Sequence, residues 1–242
     1  MDARAPVKVI AIVQARMNSS RCPGKILFEA AGKPLLQYIL ERLLHCPVLD
    51  GVVVATSALP SDDPIAAFCS RYGTPSFRGS LDNVASRFDA LAASGQCDAF
   101  VRVNGDSPFL DQGLIMNAVE VYRNDRPDLV SNVFPTRSFP KGQSVEVVDG
   151  PAFRLAYRKM SDPGDLEHVT RYLHRNSAEF RISAIRGEID GSGANMAVDS
   201  PGDLRWFSAV VDRMDKPHWT YGWREALRLM ELAPAVDSQG GS

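Results

Sequence analysis

The chain has 242 residues, 45% hydrophobic and 23% charged, with 27 Lys and Arg against 29 Asp and Glu. A length of this order fits one α/β domain whose core needs no disulfide or metal staple. The formal net charge of −2 excludes a general field for nucleic acid or anionic lipid, so any basic cluster is a local site. Cys22, Cys46, Cys69 and Cys97 never fall at C-x-x-C spacing, and the four histidines form no H-x-x-x-H pair. That excludes the common zinc arrangements and suits a reducing compartment. No apolar run has the length of a membrane span. These features describe a cytoplasmic protein without membrane or nucleic-acid partners.

In chain order, Val7–Val13 is a continuous apolar, β-branched run that reads as a buried parallel strand. A basic loop follows, and then Pro34–Leu44 has helical periodicity with proline at a suitable first position. Gly51–Thr56 reads as a second strand, Asp62-Asp63-Pro64 as the cap of a helix to about Arg71, and Ser76–Arg78 as a short strand. A helix over about 82–93 leads to the strand Ala99–Val103 and a helix over roughly Gln112–Tyr122. This alternation predicts a mostly parallel sheet with helices on both faces. Further on, strands are expected near 128–133, 145–148, 180–186 and 196–198, and helices near 151–160, 165–175, 203–214 and 223–232. One domain over 1–232 and a disordered tail over 233–242 complete the expectation.

In open α/β sheets ligands sit beyond the carboxyl ends of the strands. Three polar features fall there: the loop 14–25 after the first strand, Asn104-Gly105-Asp106 after the third long one, and Asp199 after the segment 196–198. The loop carries Arg16, Arg21 and Lys25 within ten residues, with Ser19, Ser20 and Gly24 between them. Arginines fork onto phosphate oxygens, lysine acts as a mobile point charge, and small residues let backbone N–H groups approach a polyanion. No G-x-x-x-x-G-K-[ST] and no G-x-G-x-x-G occurs, which counts against P-loop and dinucleotide readings. A triphosphate reaction needs a divalent cation, and magnesium takes one or two carboxylates, which Asp106 and Asp199 offer. The residues by themselves also admit a solvated loop, a turn at Asp106 and a helix cap at Asp199. Asp82, Asn83 and Arg87 open a helix, where capping competes with nucleotide contact. Glu146 is a charge inside a strand-like run, and Glu167 and His168 lie on a helix with Arg171 and His174.

The loop resembles the signature A-R-x-x-S-x-R-[LI]-P-x-K of the CMP-sugar synthetases, the cytidylyltransferases of acidic sugars. Ala15, Arg16, Ser19, Arg21, Pro23 and Lys25 stand in register, and Cys22 replaces the branched aliphatic. The Gln-Ala-Arg-Met start is most similar to the subgroup named for the spore coat polysaccharide protein SpsF. The resemblance continues, in order, through Val54–Ser57, Asp62–Ile65, Gly79–Val84 with Arg87, Val101–Pro108, Val145–Val147, Glu167–Thr170 and Val198–Leu204. It covers roughly residues 7–210.

The resemblance implies a three-layer α/β/α nucleotide-diphospho-sugar transferase fold, GT-A-like and Rossmann-like, and an Mg2+-dependent transfer of CMP from CTP to a sugar hydroxyl. It implies that Arg16, Arg21 and Lys25 act on the phosphates, and that Ala15, Ser19, Asp82, Asn83 and Arg87 join them in binding the nucleotide. Asp106 and Asp199 would hold the metal, and Glu146, Glu167 and His168 would face the acceptor. It also implies surface polysaccharide or glycan biosynthesis, and a homodimer in many relatives. A glycosyltransferase consuming a nucleotide sugar is the competing reading, but no D-x-D occurs in the chain. A nucleotide-binding relative without turnover is the third.

Overall fold

The computed structural model describes residues 7–232, and the tail expected over 233–242 lies outside them. The strands are β1 (Val9–Gln14), β2 (Glu29–Ala30), β3 (Lys33–Pro34), β4 (Gly51–Ser57), β5 (Ser76–Gly79), β6 (Ala99–Asn104), β7 (Leu129–Ser131), β8 (Glu146–Asp149) and β9 (Ile182–Ala184). The helices are α1 (Leu35–Leu44), α2 (Asp63–Tyr72), α3 (Val84–Ala93), α4 (Gln112–Asp125), α5 (Gly150–Tyr157), α6 (Pro163–Glu167), α7 (Arg171–Arg175), α8 (Pro201–Val211) and α9 (Trp223–Leu232).

Seven strands form one sheet in the order β5-β4-β1-β6-β8-β7-β9. β5, β4, β1 and β6 run parallel, while β8 is antiparallel to both β6 and β7. The expected, mostly parallel sheet is therefore present, with one reversed strand. β2 and β3 form a small antiparallel hairpin apart from it.

Alternation along β1 separates the two cores. Val9, Ala11 and Val13 join the cluster that includes α1, α2, α4, α8 and α9, whereas Ile10 and Ile12 join the cluster of α3, α5 and α7. Side chains of successive strand residues point to opposite faces, so each face of this central strand is sealed by its own helix layer. The result is the expected α/β/α arrangement.

The register brings the site together. Gln14 pairs with both Ala55 and Asn104, so β1, β4 and β6 end side by side. The reversed β8 begins at this same edge, with Glu146 opposite Arg102. Gly105 lets the chain turn there: a Cβ would lie 2.8 Å from the Gln14 carbonyl oxygen, which accepts the Gly105 N–H at 3.0 Å.

Two expected elements differ. Met196–Val198 is extended but joins no strand ladder; Met196 N–H donates to the Lys141 carbonyl and Val198 N–H to that of Asp106, both at 2.8 Å. The helix expected over 165–175 is broken into α6 and α7 at His168-Val169-Thr170. There Val169 is fully buried and the Thr170 hydroxyl donates to Glu146 at 2.8 Å, so tertiary packing overrides the helical run.

Candidate active site

A cavity of about 330 Å³ opens at the carboxyl edge of β1 and β6. Its lining includes Ala15, Arg16, Ser19, Arg21 and Lys25 from the loop, Arg87 from α3, Asp106, Glu167, His168 and Asp199. Ten residues singled out in the sequence are thus brought to one place. Gln14, Arg102 and Asn104 also line it. Asp82, Asn83 and Glu146 do not. Asn83, and not Asp82, is the N-cap of α3; its side-chain oxygen accepts the Ser86 N–H at 2.9 Å. A second cavity, of about 280 Å³ beside Cys97, Asp98 and Pro151, lies at the amino end of β6, away from this edge.

Asp199 is the electrostatic centre. It is 5% exposed, and its Oδ1 meets Arg21 at 2.8 Å and Lys25 at 3.1 Å while Oδ2 meets Lys141 at 2.5 Å. Burial alone would raise its pKa, but the hydrogen bonds and charges of Lys141 and Lys25 hold it below the ordinary aspartate value. Lys25 is fixed further by donating to the Val198 carbonyl at 2.6 Å. The Asp199 side chain does not cap α8. That task falls to Ser200 and Asp203, which form a capping box.

Asp106 adjoins Asp199 through the Val198–Asp106 backbone bond, and the Ser107 hydroxyl donates to its Oδ1 at 3.0 Å. Across the mouth, Arg16 approaches Glu167 at 3.5 Å. The lining holds five cations (Arg16, Arg21, Lys25, Arg87, Arg102) against three carboxylates (Asp106, Glu167, Asp199). That surplus favours an anionic occupant.

The floor is built differently. Glu146 is 2% exposed; Arg102 donates to it at 2.9 Å, Thr170 at 2.8 Å, and His174 approaches at 3.0 Å. Burial opposes its ionisation, but His174, Arg102 and Thr170 outweigh that and lower its pKa to about 2. Arg102 also donates to the Gln14 side chain at 3.1 Å. Arg87 is nearly inaccessible and donates to the carbonyls of Ser80, Ala55 and Leu81. Burial lowers its pKa, Asp62 opposes that shift and Arg16 adds to it.

Two cations of the site escaped the sequence reading. Lys141 lies in an aperiodic Pro-Lys-Gly loop, delivered by a bridge between Lys141 and Asn195. The following Gly142 has φ 89°, and a Cβ there would sit 2.7 Å from the Met196 carbonyl carbon. Arg102 was visible only as a charge within an apolar strand, which was the one signal available.

Among the described residues no three His, Cys, Asp or Glu side chains gather as a metal cage, and no helix is long and apolar enough to cross a membrane. The four cysteines are buried and unpaired.

The family model described as cytidylyltransferase matches residues 10–202. The spore coat polysaccharide biosynthesis protein SpsF of Bacillus subtilis is 28% identical over 179 residues, 72% of this chain and 73% of its own. A cytidylyltransferase structure from Leptospira borgpetersenii superimposes with a TM-score of 0.87 at 24% identity, covering 98% of this chain and 99% of that one. A CMP:2-keto-3-deoxy-manno-octonic acid synthetase complexed with CTP gives 0.65 at 20% identity, covering 85% and 99%. At such identities the structural likeness shows the fold, and the sequence match carries the family. The chain belongs to the cytidylyltransferases.

Proposed function

We propose that the enzyme transfers CMP from CTP to a hydroxyl of an acidic sugar, releasing pyrophosphate, in cytoplasmic synthesis of a surface polysaccharide or glycan. The observation that carries this reading is a cavity lined both by the loop cations and by Asp106 and Asp199. The family supplies the cytidylyl class. SpsF supplies the polysaccharide context and the CTP-bound synthetase the acidic sugar, each by its name.

The reaction is an in-line displacement. The acceptor oxygen forms a bond to the α-phosphorus, the bridging α–β P–O bond breaks, and pyrophosphate leaves with the electron pair. The acceptor proton passes to solvent at the mouth, where Glu167 and His168 stand exposed beside the acceptor position. Arg16, Arg21 and Lys25 neutralise the phosphates and the charge that grows on pyrophosphate. For Arg21 and Lys25 this is an exchange of partners, from the Asp199 carboxylate to phosphate oxygens. Ala15, Ser19 and Arg87 border the nucleotide. Asp82 and Asn83 are assigned a structural part at the start of α3, and Glu146 serves the site indirectly by orienting Arg102.

Two carboxylates on adjoining segments, with no three-ligand His, Cys, Asp or Glu cage among the described residues, fit a cation that completes its shell with phosphate oxygens and water, as magnesium does. Asp106 and Asp199 would hold it. When bound, it polarises the α-phosphate and neutralises developing charge. Arg21 and Lys25, now on Asp199, turn to phosphate as the nucleotide enters.

The test is a pyrophosphate-release assay with CTP, UTP, ATP and GTP against a panel of acidic sugars with magnesium. Release with CTP and one acidic sugar supports the reading. Sugar-independent release, or equal turnover of all four nucleotides, counts against it.

A further inference from the structure

We infer that Asp62 is a positioning residue for the nucleotide loop: a buried carboxylate, from the turn before α2, that fixes the loop's backbone before any ligand arrives. This rests on the reading of the loop as the phosphate-handling segment. In the sequence Asp62-Asp63-Pro64 reads as a helix cap. In the structure Asp62 occupies the N-cap position of α2, yet its side chain makes no capping hydrogen bond. It is fully buried and turned the other way.

Its Oδ1 accepts the Met17 N–H at 2.7 Å, across 45 residues, and its Oδ2 accepts the Ser57 N–H at 3.1 Å and the Ser57 hydroxyl. Met17 is the hub of the loop. Its carbonyl accepts both the Ser19 N–H at 3.0 Å and the Gly24 N–H at 2.8 Å, which draws the two limbs of the loop together. Holding the Met17 peptide therefore fixes Arg16, one residue before it, and Lys25, one residue after Gly24. A second link joins the same two segments, from the Asn18 amide to the Ser61 hydroxyl at 3.3 Å.

The charge matters as well as the hydrogen bonds. Asp62 forms no ion pair with a lysine or arginine among the described residues, although the Arg87 guanidinium feels its field. A buried carboxylate that accepts backbone and hydroxyl donors makes bonds stronger than neutral ones. It also places a negative charge beneath a loop of three cations, reducing their mutual repulsion while no phosphate is present. An arrangement held in place beforehand need not be ordered by the ligand, which is how preorganisation strengthens binding.

The experiment compares wild type with Asp62→Asn, which leaves an acceptor for Met17 but turns an amide donor toward the Ser57 donors. Amide hydrogen exchange is read at residues 16–25 without ligand, and affinity is titrated with CTP and with inorganic pyrophosphate. We expect loop exchange to quicken and both affinities to fall about tenfold, the size of losing one charge-assisted hydrogen bond. Exchange in β1 stays unchanged, and the KM for CTP rises far more than kcat falls. Ser57→Ala, which removes only one donor to Asp62, gives the same pattern at about threefold and stands in if the asparagine variant does not fold. Asp63→Ala is the control: Asp63 is exposed and paired with Arg78 at 2.6 Å. Unchanged loop exchange in both Asp62→Asn and Ser57→Ala, or faster exchange with unchanged anion affinity, overturns the inference. Failure of the wild type itself to bind CTP counts against the cytidylyl reading instead, and the exchange measurement then still decides whether Asp62 holds the loop.

Discussion

Two carboxylates stand at the same edge of the sheet, each ringed by polar partners, and they have opposite characters. Two of the three cations on Asp199 are accessible, the Arg21 side chain at 64% and that of Lys141 at 49%, while Lys25 is enclosed at 12%. The partners of Glu146 are less exposed: Arg102 at 13% and His174 at 24%, the latter stacked on the Phe134 ring with centroids 5.3 Å apart. Both acids have lowered pKa values because hydrogen bonds and nearby charge outweigh their burial. The difference lies in what can leave. Solvent and phosphate reach Arg21 and Lys141, so those two ion pairs are exchangeable; the Glu146 pairs are framework. A carboxylate with exposed cations among its partners can exchange them for phosphate, and one whose partners are mostly enclosed serves as support.

The largest effect that would break this contrast lies on the exchangeable side. Asp106→Asn and Asp199→Asn are each expected to lower kcat/KM for CTP by about a thousandfold with the thermal midpoint nearly kept, the scale of losing a group that stabilises transition-state charge. Steady-state kinetics beside thermal unfolding would show it; a stability loss without a kinetic one would assign these acids to the framework.

Glu146→Gln should do the reverse, costing roughly 3 kcal/mol of stability because Arg102 loses its buried counter-charge and His174 and Thr170 lose a carboxylate partner. The pH dependence has a definite sign. The folded pKa of Glu146 is depressed from 4.5 to about 2, so its contribution is complete above pH ~4.5 and lost as pH falls toward ~2. Denaturant melts of both proteins should therefore differ most near neutrality and converge across that window.

Lys141→Met is expected to cut kcat/KM about tenfold, an intermediate loss for one exposed cation among several. A thousandfold loss would make Lys141 a member of the phosphate set. The smallest effects belong at α3. Asn83→Ala should cost about 1 kcal/mol of stability as a lost cap, while Asp82→Ala should leave the KM for CTP within about twofold, as for an ordinary surface substitution.

The first half of the fold was readable because its strands and helices alternate with strong periodicity and clear punctuation, from β1 to α4. The loop cations and both site aspartates were readable because strand ends dictate where ligands sit. What periodicity could not show was the direction a polar side chain takes when two options are near. Asp62 looked like a cap and reaches Met17; Asp82 looked like a cap and yields to Asn83. Met196–Val198 has strand-like residues but no ladder partner, only single bonds to Lys141 and Asp106. The break at 168–170 and the arrival of Lys141 depend on contacts made with distant segments, at Glu146 and at Asn195, which leave no local pattern.

The most direct measurement is phosphorus NMR of the enzyme with CTP, magnesium and an acidic sugar. The account predicts a new CMP phosphodiester signal growing in step with pyrophosphate, and neither signal with Asp199→Asn. CMP and pyrophosphate without an ester, or undiminished ester formation by Asp199→Asn, would contradict it.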